Sequence, residues 1–98
     1  MSYKIEFAPD ALEDLKSLRK FERQQVIEGI EAHLRYEPAI EARNRKKLRP
    51  NNVAAWELRL GRFRVFYNVE GEVFIVSIEA VGFKVGNLLF VRGARRIL

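Results

Sequence analysis

The segment Trp56-Glu57-Leu58-Arg59-Leu60-Gly61-Arg62-Phe63-Arg64-Val65-Phe66-Tyr67 constrains the fold of this chain more than any other. Large apolar residues recur at every second position on both sides of Gly61-Arg62, the period of strands with a buried face. A two-residue loop with glycine first suits a type II′ turn, whose twist matches the strands it joins. The turn sets the register: Leu60 opposite Phe63, Arg59 opposite Arg64, Leu58 opposite Val65, Glu57 opposite Phe66. A slip of one residue would bury the arginines, so the pairing is strongly specified. Glu70-Gly71 reads as a second two-residue turn. It would set Tyr67 against Phe74, Val65 against Val76, Arg64 against Ser77 and Arg62 against Glu79. One face of this meander then carries Trp56, Leu58, Leu60, Phe63, Val65, Tyr67, Phe74, Val76 and Ile78. The other shows Glu57, Arg59, Arg62, Arg64, Phe66, Ile75, Ser77 and Glu79.

The apolar face needs a cover, and the first third of the chain supplies one. Tyr3, Ile5 and Phe7 alternate with Lys4 and Glu6 as a short strand. Pro9 and Asp10 open a helix with acidic residues in its first turns and an apolar stripe of Ala8, Ala11, Leu12, Leu15 and Leu18. A second helix is expected from about Phe21 to Tyr36, with Val26, Ile27, Ile30 and Leu34 inward, ending before Pro38. Residues 37–54 show no period and read as a long loop of functional character. Gly86-Asn87 turns the chain into a last strand, Leu88 to Arg92. The expected fold is α+β in a single domain, 1–98. A helical hairpin packs on one face of a mostly antiparallel, twisted sheet, and the N-terminal strand joins beside the meander.

At 98 residues there is room for one core. The absence of cysteine excludes a disulfide framework, a thiolate zinc site and a cysteine nucleophile. The single histidine, His33, sits on the second helix beside the core stripe and reads as structural. No metal or cofactor is expected. The start of the chain has no apolar signal stretch and no 18-residue apolar run follows, so a cytoplasmic protein without membrane contact is expected.

Charge is divided unevenly. Residues 1–42 hold nine acidic and six basic side chains, whereas residues 43–98 hold four acidic and twelve basic. That asymmetry points to a polyanion, or to an acidic protein, as partner of the second half. Arg59 and Arg64 oppose each other directly, and like charges at about 5 Å destabilise a strand pair. A phosphate between them would cancel the repulsion through bidentate hydrogen bonds; acids paired with each would do so equally. Arg43-Asn44-Arg45-Lys46-Lys47-Leu48-Arg49 is a second basic element, a phosphate footprint just ahead of the arginine strands. Lys84 extends the positive field, while Arg92, Arg95 and Arg96 read as a loose charged tail. Phe66, Ile75 and Phe90 offer apolar patches for bases or for a partner chain. Glu57 is the one acid near the centre of the arginine face, either as an ion-pair partner of Arg59 or as a weak general base.

The first strand and helix, Lys47-Leu48-Arg49, and the Trp56–Tyr67 segment together resemble the RelE/ParE superfamily of toxins from type II toxin–antitoxin modules. The resemblance covers nearly the whole chain and centres on Arg, hydrophobic, Gly, variable, aromatic, Arg, hydrophobic, hydrophobic, Tyr. It implies the fold β-α-α-β-β-β, a cognate antitoxin as partner, and one of two targets. RelE-like members cleave mRNA in the ribosome; ParE-like members inhibit DNA gyrase. A relative without cleavage activity, retaining RNA or antitoxin binding, is the third alternative. Carried over by position, Arg59, Arg64 and Lys84 match basic residues needed for cleavage. Of the Arg45, Lys46, Lys47 and Arg49 footprint, Lys47 and Arg49 match loop residues that contact RNA. Glu57 stands where RelE has a lysine, and Phe90 falls roughly where it has a tyrosine; related branches keep a Glu-hydrophobic-Arg strand. Cleavage of this kind needs no metal, because RNA brings its own nucleophile in the 2′-OH.

Overall fold

A computed structural model describes residues 2–98. The order of elements is β1 (Lys4–Phe7), α1 (Pro9–Lys16), α2 (Lys20–Leu34), β2 (Arg45–Lys47), β3 (Trp56–Leu60), β4 (Phe63–Glu70), β5 (Ile75–Val85), β6 (Leu88–Val91) and β7 (Ala94–Arg96). All seven strands join one sheet, ordered β2-β3-β4-β5-β6-β7 with β1 added on β5. The long strand β5 organises it. On one side it pairs with β4 from Ile75 to Phe83. On the other it pairs in parallel with β1 over Ile75–Ile78 and antiparallel with β6 over Gly82–Val85.

Both helices lie on one face, α1 over β5 and α2 over β3 and β4. Ala11 and Leu15 of α1, and Val26, Ile30 and Leu34 of α2, are buried against Trp56, Leu58, Phe63, Val65, Tyr67, Val76 and Ile78. These are mainly the sheet residues that the first turn assigned to the covered face. Leu12 and Ile27, expected inward, are 45% and 37% exposed. Each helix buries a narrower stripe than its composition suggests. Arg23 ties the helical hairpin by donating from Nε to Leu15 O at 3.0 Å and from Nη2 to Leu18 O at 3.2 Å, at the C-terminal end of α1 where a cation is favoured. Tyr67 is fully buried and its hydroxyl donates to Pro38 O at 2.8 Å. Burial pushes its phenol pKa far up, against a small opposing effect of Arg45.

The β3–β4 hairpin has the expected register at every pair. The next hairpin does not. Glu70 pairs with Ile75 across a four-residue loop, and Phe74 lies in that loop at φ 55°, 38% exposed, not in the core. Its ring instead meets Tyr3, with centroids 5.3 Å apart. Glu79 is then an extra residue on β5, because Phe66 pairs with Ala80 while Tyr67 pairs with Ile78. Arg64 therefore opposes Gly82, not Ser77, and Arg62 has no cross-strand partner in Glu79. The long loop also holds structure that its sequence hides: Arg45–Lys47 is an edge strand against Trp56–Leu58. At the other end, Arg92 and Gly93, at φ 51° and 75°, form a two-residue turn into β7. Paired positive φ values are those of a type I′ turn. The tail is thus a strand.

Candidate nucleic-acid interface

The bulge at Glu79 decides what the helix-free face can do. Side chains alternate along a strand, so without an extra residue Lys84 would share the face of Ile78, under the helices. With it, Ala80, Gly82 and Lys84 fall on the face of Arg64 and Phe66. A bulge re-aims side chains in this way. Arg59 and Glu57 of β3, Lys46 of β2 and Arg96 of β7 complete the same face by alternation.

This face has two parts. One is a second small core of Ala54, Phe66, Ala80, Leu89 and Val91, edged by Leu48, Val53 and Leu98. Phe66 is completely buried there, so it offers no free patch to bases or a partner. Phe90 is not on this face at all. It lies opposite Phe83 and stacks on it at 5.8 Å between centroids.

The other part is a cleft of about 240 Å³ walled by Lys46, Glu57, Arg59, Lys84, Arg95 and Arg96, with Leu48, Asn87, Leu89, Ile97 and Leu98. Five cations line it beside one carboxylate; four share its face by register, and Arg95, opposite Phe90, borders it from the edge strand β7. Glu57 is only 8% exposed, and its Oε1 accepts from Arg59 Nε at 2.8 Å. Its other oxygen has no hydrogen-bond partner among the described residues and is not buried away from solvent. A low-dielectric wall with an excess of positive charge concentrates anions. Charge-assisted bonds from guanidinium groups to phosphate are among the strong ones.

Arg64 stands directly opposite Arg59, yet its guanidinium bends back to the turn, donating from Nη1 to Gly61 O at 2.7 Å and Phe63 O at 2.9 Å. Burial lowers its pKa from the usual arginine value, Glu57 works against that shift and Arg59 adds to it. The like-charge pair is relieved within the chain, Arg59 by an acid and Arg64 by carbonyls. Arg62 finds its acid in Glu22 of α2, at 2.8 Å, and that bond holds the Glu22 carboxyl below the usual range.

The basic run is split by its own strand geometry. Lys46 faces the cleft opposite Glu57. Arg45 faces the helix side, donating to Ile40 O at 2.9 Å and His33 O at 3.2 Å. Lys47 lies over the Trp56 ring, 5.7 Å from its centroid. Arg49 lies past β2, on a separate depression with Asn51 and Asn68. Sequence reasoning missed Arg95 and Arg96 as cleft residues. The signal was present in Arg92-Gly93, a turn dipeptide with a strand's spacing on either side. Among the described residues no cluster of His, Cys, Asp or Glu is grouped to hold a metal, and no helix is long and apolar enough to cross a membrane.

A helical hairpin on one face of a single antiparallel-rich sheet, with a cationic cleft on the other, defines a small α+β protein. The model of the ParE toxin of type II toxin–antitoxin systems, parDE, matches residues 5–82, and the chain belongs to that family, within the RelE/ParE superfamily of toxins. Among solved structures, the chain is similar to one in the RelBE2 toxin–antitoxin complex of Mycobacterium tuberculosis. The TM-score is 0.74 and the identity 27%, over 86% of this chain and all of that one. It is also similar to a chain of the archaeal RelE–RelB complex of Pyrococcus horikoshii OT3, with TM-score 0.68 and 25% identity over 89% of this chain and 99% of that one. No curated protein matches by sequence. Both neighbours are complexes in which a toxin is bound by its antitoxin.

Proposed function

We propose that this toxin stops translation by cutting mRNA on the ribosome, and that Glu57 and Arg59 are the centre of the site. The observation that carries the reading is the cleft: a shielded carboxylate with one oxygen fixed by Arg59 and one open, ringed by Lys46, Lys84, Arg95 and Arg96. The reaction is a transesterification. Glu57 accepts the proton of a 2′-OH, the 2′ oxygen bonds to phosphorus, and the bond to the 5′ oxygen breaks as Lys84 gives that oxygen a proton, leaving a cyclic phosphate and a 5′-OH. The proton on Glu57 then returns to Lys84 through water. Arg59 and Lys84 stabilise the charge that builds on the phosphorane and the leaving oxygen, the contribution that is usually largest. Arg64 supports the hairpin turn from beside the cleft and reaches phosphate only by leaving its two carbonyls. The cleft has few groups with which to orient RNA, so the ribosome supplies alignment. In the cytoplasm a cognate antitoxin would hold the toxin silent, as in the two neighbouring complexes.

A second reading, favoured by the match to a ParE toxin, is inhibition of DNA gyrase, a binding function that needs no base. Primer extension on mRNA from cells expressing the protein separates them. New, codon-positioned 5′ ends that vanish in Glu57→Gln and Arg59→Ala support cleavage. Intact mRNA with DNA damage, unchanged in Glu57→Gln, supports gyrase.

A further inference from the structure

The outer edge of β5 has a gap. β1 covers it as far as Ile78, whose carbonyl accepts from Ala8 N at 2.8 Å, and β6 resumes at Gly82. Between them the amide of Val81 is met not by a strand but by a side chain: it donates to Asp14 Oδ2 of α1 at 2.9 Å. The same oxygen accepts from Arg92 Nη1 at 2.7 Å, while Asp10 Oδ2 lies 3.9 Å from Arg92 Nη2. The Asp14 side chain is 2% exposed, and its Oδ1 is buried without a partner among the described residues.

Each half of this pair is locally unfavourable. A buried carboxylate with an unmatched oxygen costs more than a neutral acceptor would to satisfy one amide. Arg92 sits at φ 51° at the tip of the β6–β7 hairpin, where glycine would be cheaper. Two breaches of local preference that meet in one ion pair call for a joint account. The hairpin tipped by Arg92 is the element that carries Arg95 and Arg96 to the cleft.

We infer that Asp14 is a positioning residue: through Arg92 it latches the C-terminal hairpin onto β5 and so sets Arg95 and Arg96 in the anion cleft. The latch is a property of the fold; its bearing on RNA rests on the cleavage reading above. Asp14 touches no substrate and lies on the helix side of the sheet.

The test uses Asp14→Asn, which keeps an acceptor for Val81 N, and Arg92→Gly, which removes the guanidinium while relaxing the turn. Amide hydrogen exchange is followed in β6 and β7, with β1 as internal reference, and affinity for a single-stranded RNA oligonucleotide is measured across a salt series. At least tenfold faster exchange of Leu88 and Phe90, whose amides face β5, is expected, with β1 unchanged. The log–log salt slope should become shallower by about 1.4, the value for two phosphates of a single strand that the protein no longer neutralises. The double variant adds nothing to either single one. Unchanged hairpin exchange, or equally faster exchange in β1, overturns the latch. Faster hairpin exchange with an unchanged salt slope overturns its positioning role. A parent that binds no RNA at any salt overturns the RNA reading, and the exchange pattern then still decides the latch.

Discussion

The two faces of the sheet solve the same problem with different means. The helix side is an apolar interior in which Leu58, Val65, Tyr67, Val76 and Ile78 are fully buried beneath two helices. Among the described residues the opposite side has no helix; it is closed at one end by residues 48–54 and the C-terminal strands, and left open at the other as a basic cleft. The first face is built from strand alternation as far as Ile78, and the bulge adds Val81 and Phe83 beyond it. The second depends on three irregularities: a bulge at Glu79, a glycine at 82 and a positive-φ turn at Arg92-Gly93. Where the chain gathers its cations into a cleft, it departs from regularity to aim its side chains.

Removing the anchor of the small core measures how much that face matters. Phe66→Ala deletes a fully buried ring and should destabilise by about 3–5 kcal/mol, comparable to truncations under the helices. Chemical denaturation beside Ile78→Ala tests it. A loss below about 1 kcal/mol would show the second face to be mere covering.

Next is Gly82→Ala. A Cβ there would run into the Phe90 carbonyl oxygen and lie 2.8 Å from Val91 Cγ2, so β6 must move. A cost of about 1–3 kcal/mol is expected, concentrated in the C-terminal strands. The same measurement on Gly71→Ala, whose Cβ meets nothing within 4 Å, is the control.

Arg64→Ala should lower stability by about 1 kcal/mol or less, since its two carbonyl acceptors lie at a turn that water can reach. Arg64→Lys should recover little of that, because a point charge does not reproduce the fork. A drop of several degrees more in melting temperature than Gly71→Ala gives would instead make Arg64 a structural clamp.

The smallest effect is pH-dependent. The Glu22 carboxyl is depressed by Arg62, so the pair's contribution is present above the ordinary carboxylate range and lost as pH falls through the lowered folded value. The melting-temperature gap between the parent and Arg62→Ala should be slight at neutral pH and close in acid. A gap that widens on acidification would contradict the assignment.

Legibility in the sequence followed the same division. Gly61-Arg62 leaves the hairpin one geometry, and every pair from Trp56 to Tyr67 follows from it. Glu70-Gly71 has the residues of a similar turn, but the chain uses four residues there, and alternation still put Val76 and Ile78 inside because the loop grew by an even number. The bulge is different in kind. No residue type announces it, since Glu79 is an ordinary strand residue in an apolar stretch, and it reverses every side chain after it. That is why alternation alone leaves Phe66 on an open surface: the residues that bury it, Ala80, Leu89 and Val91, are on strands placed by the bulge and by turns beyond it. Lys84 and Glu57 were legible as candidates. Their meeting in one cleft was not, nor was the separation of Arg45 and Lys47 from Lys46, which needs the edge strand β2 to be seen.

The parallel seat of β1 beside β5 has a kinetic corollary. Lys4 meets Ile75 and Phe7 meets Ile78, so this pairing closes a loop that contains both helices and strands β2 to β4, whereas β3–β4 and β6–β7 close over a few residues. Loop closure must be met before distant contacts return anything, which makes the local hairpins early structures and the β1 seat a late one. Interactions made after the rate-limiting barrier govern how fast a protein comes apart rather than how fast it assembles. Shaving Ile5 should therefore shorten the lifetime of the folded toxin while leaving its refolding rate almost untouched, so that four residues at the N-terminus act as the timer on a cleft they never touch.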